Sequence, residues 1–297
     1  MFRLGIDLGG SKIEILALDG AGNECHRARV ATPAGDYRGT LAAIAQLVRD
    51  AEGVLATRAS VGIATPGALS RMTGLIKNAN STCLNGRPLV QDLQTLLQRE
   101  IRIENDANCF ALSEATDGAG TGAHVVFGVI LGTGVGGGIV IDGKVVTGAN
   151  AIAGEWGHNP LPWPRDDERP GHACYCGQFG CIETWLAGPG LCRQFLIRDG
   201  RELGAEMIAR AADKGDASAL KAIEDYEDRL ARALATIINI IDPDAIVLGG
   251  GLSKIARLYD NVSRRWSRYV FSDHVATRLL PPKFGDASGV RGAAWLW

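Results

Sequence analysis

One local order occurs twice in this chain: an apolar strand, a glycine loop, then a hairpin strand. Residues 2–8 read FRLGIDL, followed by Gly9-Gly10-Ser11-Lys12 and a second apolar run over 12–19. From His124 the order begins again, with VVFGVIL, then GTGVGGG, then the hairpin IVIDGKVVTG. A strand that meets glycine must turn tightly or bring its backbone close to something else. The echo predicts two lobes with related cores meeting near residue 120, and 297 residues are enough for both.

The rest of the pattern is that of an α/β chain. Residues 25–31 extend the first meander, and apolar residues at helical spacing (Leu41, Ile44, Ala45, Val48) predict a helix from Tyr37 to Leu55. SVGIATPG and IRIEN read as strands, residues 88–99 as a helix, and the segment from Asn108 as a helix ending at Gly118. Beyond the cysteine-rich region, helices are predicted over 187–197, 204–213 and 216–241, the last stopped by Asp242-Pro243. AIVLGGG is a further strand meeting glycines, and SGVRGAAWLW closes the chain as a helix.

Backbone amides freed of side chains can point at phosphate oxygens, and three glycine loops offer them. The loop from Gly132 to Gly137 contains a formal G-x-G-x-x-G, but a hairpin strand follows where a dinucleotide fingerprint needs a helix. No G-K-[ST] ending follows either, which excludes a Walker loop. Asp7, near the end of a buried strand and just before Gly9-Gly10, suits a water-mediated hold on a magnesium ion bridging ATP phosphates. Lys12 reads equally as a phosphate contact or as a solvated hairpin residue.

Net charge is −2, which offers no long-range attraction for nucleic acid or an anionic membrane. The chain enters its first strand without a charged n-region or cleavage site, and no apolar run reaches the ~18 residues of a spanning helix. Both features predict a cytoplasmic protein. The seven cysteines are an odd number, against a secreted disulfide framework. Cys25, Cys83, Cys109 and Cys192 stand singly among apolar neighbours and read as small buried hydrophobes.

The other three cluster in GHACYCGQFGCIE, from Gly171 to Glu183. A Cys174–Cys176 disulfide would be strained, and C-x-C is not the C-x-x-C of a thioredoxin-type motif. Three thiolates, Cys174, Cys176 and Cys181, converge naturally on a structural zinc ion with four ligands. His172 and His158 are the candidates for the fourth. Asp106, after the strand IRIEN, reads either as a helix N-cap or as a carboxylate projected into a cleft. The run RLYDNVSRRWSRYVF, with Arg264, Arg265 and Arg268, reads as an amphipathic helix with a solvated basic face.

Taken together, MFRLGIDLGGSK, ENDANCF, LGTGVGGG, GEWGH and CYCGQFGCIE resemble the ROK family of sugar kinases, in the family's order along the whole chain. The resemblance implies a two-lobed actin-like (RNase H-type) ATPase fold, a catalytic cleft between the lobes, and a structural zinc knuckle. The implied lobes are residues 1–120 with a C-terminal helix at about 286–297, and residues 121–285 with the zinc site. Asp106 becomes the general base, and Asn80, Asn105, Asp106, Glu155, His158 and Glu183 the sugar contacts. His158 becomes the fourth zinc ligand beside Cys174, Cys176 and Cys181. Contacts to ATP and Mg2+ are implied for Asp7, Gly9, Gly10, Ser11 (where the family usually has Thr), Lys12, Gly132, Thr133, Gly134, Gly136, Gly249, Gly250 and Gly251. A zinc ion with four protein ligands cannot activate water, so it would tie the loop of Glu155 and His158 to the segment of Glu183.

KNANSTCLNG, GEWGHNPLPW and the ending GDASGVRGAAWLW look most like the family's fructokinases (mannokinases), which implies phosphorylation of D-fructose at its terminal 6-hydroxyl. N-acetylglucosamine, N-acetylmannosamine and glucose kinases of the family are the alternatives. The family's sugar-responsive repressors carry a helix-turn-helix ahead of the first strand, for which a strand starting at Phe2 leaves no room. A zinc-ribbon interaction module would leave ENDAN and the glycine loops without a purpose. A homodimer is expected from the family, with sugar and ATP as ligands and neither nucleic acid nor membrane as partner.

Overall fold

The first apolar run becomes the inner strand of a sheet. β1 (Arg3–Leu8), β2 (Lys12–Leu18) and β3 (Glu24–Ala31) form an antiparallel meander in which Ile6 faces Ile15 and Ile15 faces Ala28. α1 (Tyr37–Leu55), capped by the Asp36 carboxylate on the Gly39 N–H at 2.9 Å, crosses over to β4 (Ser60–Thr65). A ribbon of β5 (Ala68–Leu69) and β6 (Ile76–Lys77) and then α2 (Leu89–Leu97) lead to β7 (Ile101–Asn105). That strand runs without a loop into α3 (Asp106–Thr116). The sheet order is β3-β2-β1-β4-β7, with β4 parallel to both β1 and β7. Strands covered on both faces read as continuous apolar runs, as β1, β2 and β4 do. The edge strand β3 is largely exposed, so Cys25 on it is exposed, against the expectation of burial. Of the four single cysteines only Cys109 is buried, while Cys83 and Cys192 are half-buried.

In this computed structural model, which describes residues 1–79 and 81–297, the chain divides into two units. The first comprises Met1–Thr121, Gly138–Ala153 and Asp286–Trp297, and the second Gly122–Gly137 and Gly154–Gly285. The segment Gly138–Ala153, which the sequence pattern places in the second lobe, thus lies in the first unit.

The C-terminal helix, Ser288–Ala294, lies in the first unit against the face of the sheet opposite α1, where Leu16 and Leu18 pack on Val290 and Ala294. Its approach is backbone on backbone. A Cβ on Gly5 would overlap the Val290 carbonyl oxygen, one on Gly62 that of Ala293, and one on Gly292 that of Cys109 in α3. Side chains then fix the helix to α3: Ser288 donates to the buried Glu114 carboxylate at 2.6 Å, and Arg291 to the carboxylate of Asp117.

In the second unit, β8 (Val125–Leu131) is followed by β9 (Val135–Ile141), whose last residues pass into the first unit and pair there with β10 (Lys144–Val145). The helices are α4 (Ile182–Leu186), α5 (Gly188–Asp199), α6 (Ala205–Asp213) and α7 (Ala217–Ile241), the last capped by Asp216. β11 (Ala245–Gly249), α8 (Arg257–Trp266) and β12 (Arg278–Leu280) follow, and β11 lies between β8 and β12, parallel to both. The predicted helix over 187–197 starts instead at Gly188, after an extended Ala187 that separates it from α4. The basic face of α8 is not wholly solvated: Arg257 and Arg265 both donate to Glu227 of α7, at 2.6 and 3.0 Å, and Glu227 is fully buried. Among the described residues, no helix is long and apolar enough to cross a membrane.

Two glycine substitutions should have opposite signs. Gly62→Ala drives a methyl group into backbone that cannot yield, and should destabilise the fold by about 3 kcal/mol. Gly53→Ala, in α1 with nothing within 4 Å of the added atom, should stabilise it by up to about 1 kcal/mol. Urea denaturation of the two variants checks both.

Candidate active site and metal centre

The β7–α3 junction explains how Asp106 comes to be presented. Asn105 is the N-cap: its side-chain oxygen accepts the Ala107 N–H at 2.9 Å. Asp106 is therefore the first residue of the helix rather than its cap, and it is exposed. Its Oδ1 also accepts the Ala107 N–H, at 2.8 Å. Asn105 has a second task, donating from Nδ2 to the Gly67 carbonyl at 2.9 Å, so most of its amide is engaged within the fold. Glu104 locks the turn from below. Its Oε1 accepts from the Asn105 N–H at 2.9 Å and from Asn108 Nδ2 at 3.0 Å, and its Oε2 accepts from Thr147 at 3.1 Å.

Asp106 and Asp7 line one cavity of about 450 Å3 in the first unit, together with Gly9, Gly10, Thr32, Pro66, Ser81 and Thr82. Gly9 and Gly10 turn β1 into β2, with the Gly9 N–H donating to the Lys12 carbonyl at 3.0 Å. Thr32 steadies this turn from β3's end, its hydroxyl donating to the Gly9 carbonyl at 2.7 Å. Ser11 is exposed, and Lys12 leans back to the Glu14 carboxylate at 3.1 Å. Asn80 lies outside the described residues. Burial, then the charge of Asp106, raises the Asp7 carboxyl to about 6 from its ordinary 3.8, against the opposing charge of Lys12.

In the second unit, the loop after β8 is held by a carboxylate. Glu183, in the first turn of α4, accepts the Val135 N–H at 2.9 Å, and a Cβ on Gly134 would lie 2.7 Å from the same oxygen. The Gly188 N–H donates to the Gly132 carbonyl at 2.7 Å, and Gly136 accepts from the Trp156 indole at 2.9 Å. Thr133 at the tip is exposed. Gly250, with φ +79°, lies against the backbone of Leu131, where a Cβ would overlap the carbonyl oxygen. The glycines at 132–136 and 249–251 thus belong to one packed corner, with Gly249 ending β11 and Gly251 opening a short 3-10 turn.

Glu155 is exposed and immediately precedes the 3-10 turn Trp156–His158, without a side-chain bond to it. At its end the ligand atoms of His158, Cys174, Cys176 and Cys181 all lie within 4.8 Å of one another. His158 Nδ1 is 3.6 Å from Cys174 Sγ, and Cys176 Sγ is 3.6 Å from Cys181 Sγ. Sulfurs about 2.3 Å from one zinc ion at tetrahedral angles would be about 3.8 Å apart, so this donor set fits the ion in spacing and chemistry. His172 points elsewhere, with Nε2 2.7 Å from Gln194 and its ring 4.8 Å from that of Trp185.

The family model described as ROK matches residues 3–297. The chain belongs to the ROK family. An N-acetyl-D-glucosamine kinase from Erwinia tasmaniensis is 44% identical to it over 301 residues, covering 98% of each chain. Among solved structures, a ROK hexokinase from Thermus thermophilus aligns with a TM-score of 0.87 at 29% identity, over 99% of this chain and 97% of that one. A ROK family glucokinase from Streptomyces griseus, in complex with glucose and AMPPNP, aligns at 0.78 and 27% identity, over 100% and 99%. The fold is the two-lobed α/β fold of ROK sugar kinases, and the chain is a sugar kinase of that family. The expected fructokinase assignment is overturned by the full-length similarity to an N-acetyl-D-glucosamine kinase.

Two measurements follow from this geometry. The folded protein retains the Asp7 proton between pH 3.8 and about 6, where the unfolded chain has released it. Asp7 thus contributes stability that is complete below pH 3.8 and lost as pH rises through about 6. Asp7→Asn should be more stable than the parent at pH 7.5, by up to about 3 kcal/mol, with the gap closing toward pH 4, in urea titrations with EDTA and without nucleotide. Atomic emission should find one zinc ion per chain in the purified protein, and a small fraction of that in Cys181→Ser.

Proposed function

We propose that this ROK kinase transfers the γ-phosphoryl group of ATP to the 6-hydroxyl of N-acetyl-D-glucosamine, with Asp106 as general base. The observation that carries the choice of sugar is the 44% identity, along 98% of both chains, to a kinase of that name. For the base, the support is local. Asn105 takes the capping role, which places the Asp106 carboxylate at the rim of a cavity it shares with Asp7 and the Gly9-Gly10 turn.

Phosphoryl transfer asks for an aligned acceptor, neutralised phosphate charge and a group to receive the hydroxyl proton. Asp106 accepts a hydrogen bond from the 6-hydroxyl, orients its oxygen and takes its proton as the bond to phosphorus forms. Asp7 would hold a hydrated magnesium ion, which supplies charge neutralisation across the ATP phosphates. The Gly10 amide, and those of Thr133 and Gly134 at the tip of the second loop, would donate to phosphate oxygens, with Gly249–Gly251 closing the nucleotide wall. Glu155, His158 and Glu183 read the ring hydroxyls, which both donate and accept. The zinc ion, held by His158, Cys174, Cys176 and Cys181, would brace those three side chains and touch no reacting atom.

A coupled assay over N-acetyl-D-glucosamine, N-acetylmannosamine, glucose and mannose should give the highest kcat/KM with the first, by about tenfold or more. Asp106→Asn should lower kcat about 10²- to 10⁴-fold while the sugar KM stays within a few-fold. A panel led by glucose would remove the sugar assignment, and near-parental turnover by Asp106→Asn would remove the base.

A further inference from the structure

The turn from β1 to β2 is closed by one backbone hydrogen bond where an antiparallel hairpin can form two. Residues that face each other as a hydrogen-bonded pair exchange both N–H···O=C bonds. Gly9 and Lys12 stand in that relation, one step beyond Leu8 facing Ile13. Only half of the exchange is made, from the Gly9 N–H to the Lys12 carbonyl at 3.0 Å. The Gly9 carbonyl has turned to a different donor, the Thr32 hydroxyl, at 2.7 Å. Among the described residues no other group donates to that carbonyl.

Thr32 directly follows the last residue of β3, and its own N–H donates to the Ser11 carbonyl at 3.0 Å. One residue therefore grips the turn at two points, and its branched Cβ restricts the torsion that aims the hydroxyl. The peptide it holds joins two glycines, so no Cβ on either side favours one orientation over another. An outside anchor must decide. In a trans peptide, as this one is, the C=O and N–H lie on opposite edges. Holding the Gly9 carbonyl thus points the Gly10 N–H the opposite way, where no described residue accepts it. Gly10 is exposed and lines the cavity of Asp7 and Asp106, as Thr32 does.

We propose that Thr32 is a positioning residue for phosphoryl transfer, whose hydroxyl sets the Gly9–Gly10 peptide so that the Gly10 N–H meets a phosphate oxygen of ATP. The proposal rests on the assignment of the Gly9-Gly10 turn to the nucleotide. Without the hydroxyl, the Gly9 carbonyl is free to take the Lys12 N–H, the hairpin closes with both bonds, and the Gly10 amide turns off the phosphate. Thr32 itself touches no reacting atom in this role.

Steady-state kinetics with Mg-ATP varied test it, at a saturating level of whichever sugar of the panel has the highest kcat/KM. Thr32→Val, which keeps the branched shape and removes the hydroxyl, should lower kcat/KM for ATP about 10- to 100-fold, the worth of a hydrogen bond to a charged group. Its Kd for the sugar, by isothermal titration without nucleotide, should stay within about twofold of the parent. Thr32→Ser, which restores the hydroxyl, should recover kcat/KM for ATP to within about threefold. A Thr32→Val value within threefold of the parent overturns the proposal. Equal losses in Thr32→Ser and Thr32→Val overturn it too, because packing of the methyl group would then be the cause. So does a loss of sugar affinity as large as the loss in ATP use, which would mark general damage to the lobe. Asp7→Asn, run in parallel, separates the two levels. If it impairs the use of ATP while Thr32→Val does not, only the role of Thr32 falls; if neither does, the turn has been wrongly assigned to the nucleotide.

Discussion

Absent side chains hold this protein together as much as present ones. At Gly5, Gly62 and Gly292, backbone meets backbone at a separation no Cβ would permit, so the C-terminal helix sits flush between the first sheet and α3. The same device recurs where Gly138 meets the backbone of Ala107 at the start of α3, and where Gly250 meets Leu131. Each close approach fixes the height of one element over another to within a fraction of an ångström, because interiors are packed too densely to absorb a methyl group. Asp106 inherits that precision. It begins a helix clamped on one side by the C-terminal helix and on another by Gly138. The glycine content of the sequence, 39 residues, is thus in good part a packing constraint.

Around the candidate site, polar side chains divide their work between holding backbone and facing the cavity. Asn105 caps α3 and ties down Gly67; Glu104 holds the Asn105 N–H; Glu183 holds the Val135 N–H. Each keeps a loop in place by satisfying an amide that would otherwise be stranded. Asp106 and Asp7 line the cavity. Two carboxylates near one another repel, and the raised Asp7 carboxyl records that repulsion together with burial.

Much of this was legible in the sequence, for identifiable reasons. Continuous apolar runs located β1 and β2, and helical spacing of apolar residues located α1, because a strand buried on both faces and a helix buried on one each leave their own mark. The cysteine spacing located the knuckle because ligand geometry restricts which residues can share an ion. Features that depend on distant partners stayed hidden. Nothing around Asn105 says that it caps α3 and so relieves Asp106, because Asn and Asp compete equally for that position. Arg257 and Arg265 read as a solvated face until α7 brings the buried Glu227 beneath them. Exposure of Cys25 follows from β3 being an edge strand, a property of sheet order and not of local sequence.

The sugar is where local motifs failed, and the reason is physical. Aligning an alcohol, receiving its proton and cradling phosphate are steps every hexose kinase must perform. Those demands are the same for fructose, glucose and N-acetyl-D-glucosamine. Discrimination depends instead on the few atoms by which the sugars differ, and a pocket recognises such differences through shape and hydrogen bonds contributed by residues scattered over several elements. No short stretch can carry that information. A similarity spread over nearly all of both chains samples the scattered positions together, and it is this distributed agreement that favours the proposed N-acetylated aldose over a ketohexose.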